Sequence, residues 1–135
     1  MTVYICIDDK NGIAFNKRRQ SRDSAVISRI IDMSKGSKLL MSNYSAKLFA
    51  NYEGLDITAD DAFFELATPD DHVFAETAIP REYSDKITKL VVFKWNKVYP
   101  SDTKLDLSFA DYTPAETIEF KGTSHDKITC EVWVK

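Results

Sequence analysis

Ile87-Thr88-Lys89-Leu90-Val91-Val92-Phe93-Lys94-Trp95 reads as the strongest strand of the chain, and its setting decides the fold class. The apolar run Leu90-Val91-Val92-Phe93 is strand-sized, and no run approaches the roughly 20 residues that a membrane helix needs. Downstream, residues 116–120 and 128–134, joined across Lys121-Gly122, read as a closing antiparallel hairpin. Upstream, a helical turn near residues 80–84 leads into the strand, and short extended segments are predicted at 56–58, 63–66 and 73–75. Residues 3–8 read as a buried first strand that ends in the turn Asp8-Asp9-Lys10-Asn11-Gly12, followed by a polar loop through Gln20.

Val26, Ile27, Ile30 and Ile31 recur at helical spacing, with Ser21 or Asp23 available as N-cap and Gly36 as the stop. Residues 38–41 follow as a second strand. Ser42, Asn43 or Ser45 can cap a second helix that carries Leu48 and Phe49 and ends at Gly54. This order predicts an α/β fold: a mixed, mostly parallel central sheet with helices on its faces and a C-terminal antiparallel hairpin. At 135 residues with 44% hydrophobic content, the chain suits a single domain spanning residues 1–135.

Cys6 and Cys130 fall in apolar strand-like segments near opposite ends, so they are expected as buried thiols rather than a disulfide framework. His72 and His125 stand 53 positions apart without Cys-x-x-Cys or His-x-His spacing, so no metal site is expected. The start, Met1-Thr2-Val3-Tyr4, carries no basic region followed by an apolar stretch, and the cytoplasm is the expected location.

Net charge is only -3, but it is unevenly placed. Residues 10–38 hold eight Lys or Arg against Asp23 and Asp32, and residues 53–76 hold eight acids without one Lys or Arg. Two solvated faces of opposite sign explain this pattern better than a nucleic-acid surface, which usually comes with a basic domain.

Three stretches, read in order, resemble dihydrofolate reductase. Ile7-Asp8-Asp9-Lys10-Asn11-Gly12-Ile13 is similar to the family's first strand and the Asp-x-x-x-Gly-Ile entry to its mobile loop. Lys38-Leu39-Leu40-Met41-Ser42 is similar to the strand before its phosphate-side turn. Residues 87–92 followed by Ser101-Asp102-Thr103-Lys104-Leu105 resemble its late strand and Gly-Asp-Thr-x-Phe-Pro segment.

The resemblance implies a catalytic carboxylate at Asp23, steadied by the hydroxyl of Thr103, with Ile27 as a pocket wall and Tyr4 lining the same cleft. Such a carboxylate must be partly desolvated, with its pKa raised toward working pH. An acid at a helix start is also stabilised by free backbone N–H groups without any ligand. Ser124-His125 resembles a Ser-His pair of the family's closing hairpin, where it makes a loop contact.

The departures fall on the cofactor side. Ser42-Asn43 replaces the family's Gly-Arg or Gly-Lys, which leaves Ser45 as a helix-capping residue that could assist a phosphate. Phe74-Ala75-Glu76-Thr77 replaces a Gly-Gly pair, and Glu76 brings negative charge toward the expected position of a pyrophosphate. NADPH is therefore not expected as a cofactor.

The leading expectation is a dihydrofolate-reductase-like domain without NADPH-dependent reductase activity, a pseudoenzyme that binds a small ligand or partner near Asp23 and Thr103. Two alternatives stand beside it. One is an active reductase of a pterin- or pyrimidine-like substrate. The other is an RNA- or phosphate-binding module using Lys17, Arg18, Arg19 and Arg22.

Overall fold

The structure is a computed structural model that describes residues 1–135. Ten strands run in chain order as β1 (Thr2–Ile7), β2 (Gly12–Phe15), β3 (Arg18–Arg19), β4 (Leu39–Met41), β5 (Ile57–Ala59), β6 (His72–Ala75), β7 (Lys89–Lys94), β8 (Thr103–Lys104), β9 (Thr113–Phe120) and β10 (Ile128–Val134). The helices are α1 (Ser24–Met33), α2 (Asn43–Ala46) and α3 (Phe63–Leu66), with 3-10 turns at Lys47–Phe49 and Arg81–Lys86. Seven strands form one sheet in the order β5-β4-β6-β1-β7-β10-β9. The first five are mutually parallel, and β10 pairs antiparallel with both β7 and β9. The predicted mixed sheet with its closing hairpin is thus present, and no helix is long and apolar enough to cross a membrane.

The strand that decided the class sits between β1 and β10, with Leu90, Val91, Val92 and Phe93 all buried. Alternating side chains enter two cores, because successive Cβ atoms point to opposite faces. Val3, Ile5, Ile7, Leu90 and Val92 meet Phe63 and Phe64 on one face. Tyr4, Val91, Phe93, Cys130 and Val132 meet Val26, Ile27 and Ile30 of α1 on the other.

Asp23 is the N-cap of α1, its side chain accepting from the Ala25 N–H, and the helix closes at Ser34, ahead of Gly36 at φ 81°. Three expectations need correction. Residues 63–66 form α3 rather than an extended segment, because Phe63 and Phe64 both turn into the same core. The expected second helix, capped by Ser42 of the three candidates, is one short turn continued by a 3-10 turn that ends at Phe49 rather than running to Gly54. The polar loop through Gln20 contains β2 and β3, which join β8 in a second sheet of order β3-β2-β8.

Candidate functional site

In an open parallel sheet, ligands bind in the crevice beyond the carboxyl ends of the strands, where successive connections leave in opposite directions. Here α1 carries the chain from β1 across β6 to β4, while the 3-10 turn Arg81–Lys86 carries it from β6 across β1 to β7. The crevice therefore opens between the carboxyl ends of β1 and β6. Glu76 follows β6 directly, and Cys6 lies in the last turn of the pleat of β1.

That crevice holds an ion pair. Arg19 Nε donates to Glu76 Oε2 at 2.7 Å and its NH2 group to Oε1 at 3.0 Å, a bidentate fork with both side chains largely buried. Ser45 Oγ, on a residue that is 1% exposed, donates to Glu76 Oε1 at 2.7 Å. The guanidinium lies 4.1 Å above the centre of the Tyr44 ring. Burial alone would lower the Arg19 pKa, and the bonded Glu76 carboxylate outweighs it, so the value stands above the ordinary one. Beside the pair, burial pushes the Cys6 thiol well above its usual range and the charge of Glu76 adds to that effect. Ser45, expected to serve a phosphate, spends its hydroxyl on the protein's own carboxylate.

Asp23 is 2% exposed. Its Oδ1 accepts from the N–H groups of Ala25 and Thr123, both at 2.9 Å, and from Thr123 Oγ1 at 3.1 Å. Its Oδ2 accepts from the Ser124 N–H at 2.8 Å, with Ser124 Oγ at 3.0 Å. These donors fill the roughly four lone-pair positions that a carboxylate offers. Burial by itself would raise the Asp23 pKa, but the N–H groups of Thr123, Ser124 and Ala25 and the Ser124 hydroxyl outweigh it and hold the carboxyl far below the usual range. This reverses the direction expected of a proton-donating acid.

His125 extends the cluster. Its Nδ1 lies 2.8 Å from Ser124 Oγ and its Nε2 lies 2.8 Å from Tyr99 Oη, while its ring stacks on Trp95 at 4.6 Å between centroids. Asp23 thus ties the start of α1 to the connection between β9 and β10.

The remaining expected site residues scatter. Thr103 lies in β8 opposite Ala14, and its hydroxyl donates to Asp102 at 3.3 Å rather than to Asp23. Its place in the second sheet explains the separation. Tyr4 is 1% exposed, with Oη 2.8 Å from His72 Nδ1. Because His72 pairs with Thr2, the Tyr4 hydroxyl leans toward the amino end of the sheet, away from the crevice. Ile27 alone lines an open cleft, of about 450 Å³, with Arg22, Asp23, Lys47, Leu48 and Tyr52. Of the basic segment, Lys17, Arg18 and Arg22 are exposed, and Arg19 is committed to Glu76.

Sequence reasoning missed the Arg19–Glu76 pair and the role of Thr123. Partners 57 and 100 positions apart leave no local pattern.

No protein-family model matches the chain, and no curated protein matches it. Among solved structures the chain shares the dihydrofolate-reductase-like α/β fold. One such structure is dihydrofolate reductase from Enterococcus faecalis complexed with NADP(H) and RAB-propyl, matched with a TM-score of 0.68 at 10% identity over 98% of this chain and 94% of that one. Identity that low carries the fold and leaves function to the site itself.

Proposed function

We propose that this chain is a dihydrofolate-reductase-like domain that does not carry out nicotinamide-dependent reduction and that binds a small ligand in the cleft beside Asp23. The observation that carries the reading is the Arg19–Glu76–Ser45 network. It fills the crevice with the protein's own ion pair and sets a carboxylate where an anionic dinucleotide would need donors. The residues present do not fit that cofactor. The hydrogen-bonded, ionised state of Asp23 supports the same reading, because a carboxyl held ionised does not donate a proton to a substrate.

The cleft offers the cations Arg22 and Lys47 beside the apolar Ile27 and Leu48 and the ring of Tyr52. That combination suits a ligand with an apolar body and an acidic group. Thermal denaturation in the presence of NADPH, folates and pterins tests the reading. A ligand at 100 times its Kd adds about 2.7 kcal/mol to stability. NADPH should support no turnover of a pterin, and an anionic ligand of the cleft should produce a rise in the melting temperature that Lys47→Glu removes. Stabilisation by NADPH accompanied by turnover of a pterin would overturn it.

A further inference from the structure

The hairpin of β2 and β3 presents a surface that neither the crevice nor the Asp23 cluster uses. Phe15 pairs directly with Arg18 across a two-residue turn formed by Asn16 and Lys17. Directly opposed residues project to the same face of a ribbon. Phe15 is 45% exposed, one of only four large hydrophobic residues left that open, and Arg18 is exposed beside it.

Asn16 and Lys17 both have positive φ, 51° and 60°, as this tight turn demands. Asparagine tolerates the left-handed region, whereas lysine pays for it where glycine would not. The strained position puts a second cation at the tip of the hairpin. The Asn16 N–H donates to Asp102 Oδ2 at 3.1 Å, which holds the tip against the neighbouring loop.

Between the hairpin and that loop lies a cavity of about 610 Å³, walled by Phe15, Arg18, Gln20, Tyr99 and Pro100 among others. Pockets of roughly 300–1,000 Å³ take small organic ligands. An exposed aromatic ring beside uncommitted cations is the combination that binds an unpaired base and its phosphate: the ring stacks on the base, and guanidinium and ammonium groups meet the anion. Of the two arginines in the wall, Arg19 is neutralised by Glu76, so Arg18 and Lys17 carry the free charge. A net charge of -3 argues against a long basic track and suits a site of one or two nucleotides.

We propose that the face of this hairpin turned to that cavity binds a nucleotide, with its base stacked on Phe15 and its phosphate paired with Arg18 and, at the hairpin tip, Lys17. The proposal does not rest on the ligand assigned to the cleft beside Asp23, from which the hairpin site is separate.

The test is fluorescence anisotropy of a labelled oligouridylate of about ten residues with the purified chain at low and moderate salt, with AMP and inorganic phosphate as competitors. Phe15→Ala and Arg18→Ala alter exposed side chains, and thermal melts of both should match the parent. Binding should weaken with salt, fall about tenfold in Phe15→Ala, and show a salt slope smaller by about one in Arg18→Ala. Displacement by AMP identifies a free nucleotide as sufficient, whereas binding of the oligonucleotide without displacement by AMP identifies a strand as the source. No binding at low salt, binding unchanged in both variants, or displacement by phosphate as effective as by AMP would each overturn the proposal.

Discussion

At Asp23, a helix cap has become the anchor of a distant loop. Its carboxylate takes N–H groups from Ala25 on its own helix and from Thr123 and Ser124, about a hundred positions away. Asp23→Asn keeps the shape but turns an amide donor toward those N–H groups, and should cost about 2–4 kcal/mol in urea denaturation. Asp23 also sets a pH dependence. In the unfolded chain an aspartate titrates near about 3.9, and in the fold this one titrates far lower, so below that pH the unfolded state binds the extra proton. Its contribution is complete above about pH 5 and is lost as the pH falls, so the acid side of a stability–pH curve should be flatter in Asp23→Asn. An equally steep acid limb would show that other carboxylates, Asp8 among them, govern it. Gly122 serves the same anchor by leaving space: a Cβ there would run into the Asp23 carboxylate and Ile128 Cδ1. Gly122→Ala should therefore destabilise the fold by about 1–3 kcal/mol, read as a lower denaturation midpoint in urea.

Among the elements, an ion pair fastens the hairpin of β2 and β3 to the large sheet, beside its pairing with β8. Arg19 leaves β3, reaches Glu76 beyond β6, and stacks on Tyr44 of α2, so three elements meet at one guanidinium. Removing one partner of a buried pair leaves an uncompensated charge at a cost of about 3–5 kcal/mol, and solvent reaching the 19% and 10% exposed side chains reduces that figure. Arg19→Ala and Glu76→Ala should each destabilise by about 2–4 kcal/mol, and the double variant by less than their sum. A double-mutant cycle in denaturant measures this, and strictly additive losses would count against the coupling. Little of the pairing was legible in advance, since the segment around Arg19 reads as a solvated basic run and Glu76 as one acid of an acidic stretch. By contrast α1 was legible almost entirely, because Asp23, Val26, Ile27 and Ile30 lie within a few residues of one another.

For the whole molecule, stability should be graded across the large sheet. β1 and β7 lie inside it with both faces buried and β5 lies at its edge, while β3, in the small second sheet, pairs through two residues only. Hydrogen exchange should find the slowest amides in β1 and β7 and the fastest strand amides in β3 and β5. Uniform protection would contradict this grading. The sequence by itself determined the α/β class, the places of the main strands along the chain, the closing hairpin and the helix that begins at Asp23. Those features are written in runs of apolar residues, in turn residues and in caps, all of which act over a few positions. Only the tertiary structure decided that Asp23 is bound by the far loop, that Thr103 lies apart from it, and that Arg19 and Glu76 fill the crevice. Charges and hydroxyls carry no periodicity, so their partners are chosen by which strand ends and loops the folded sheet brings together.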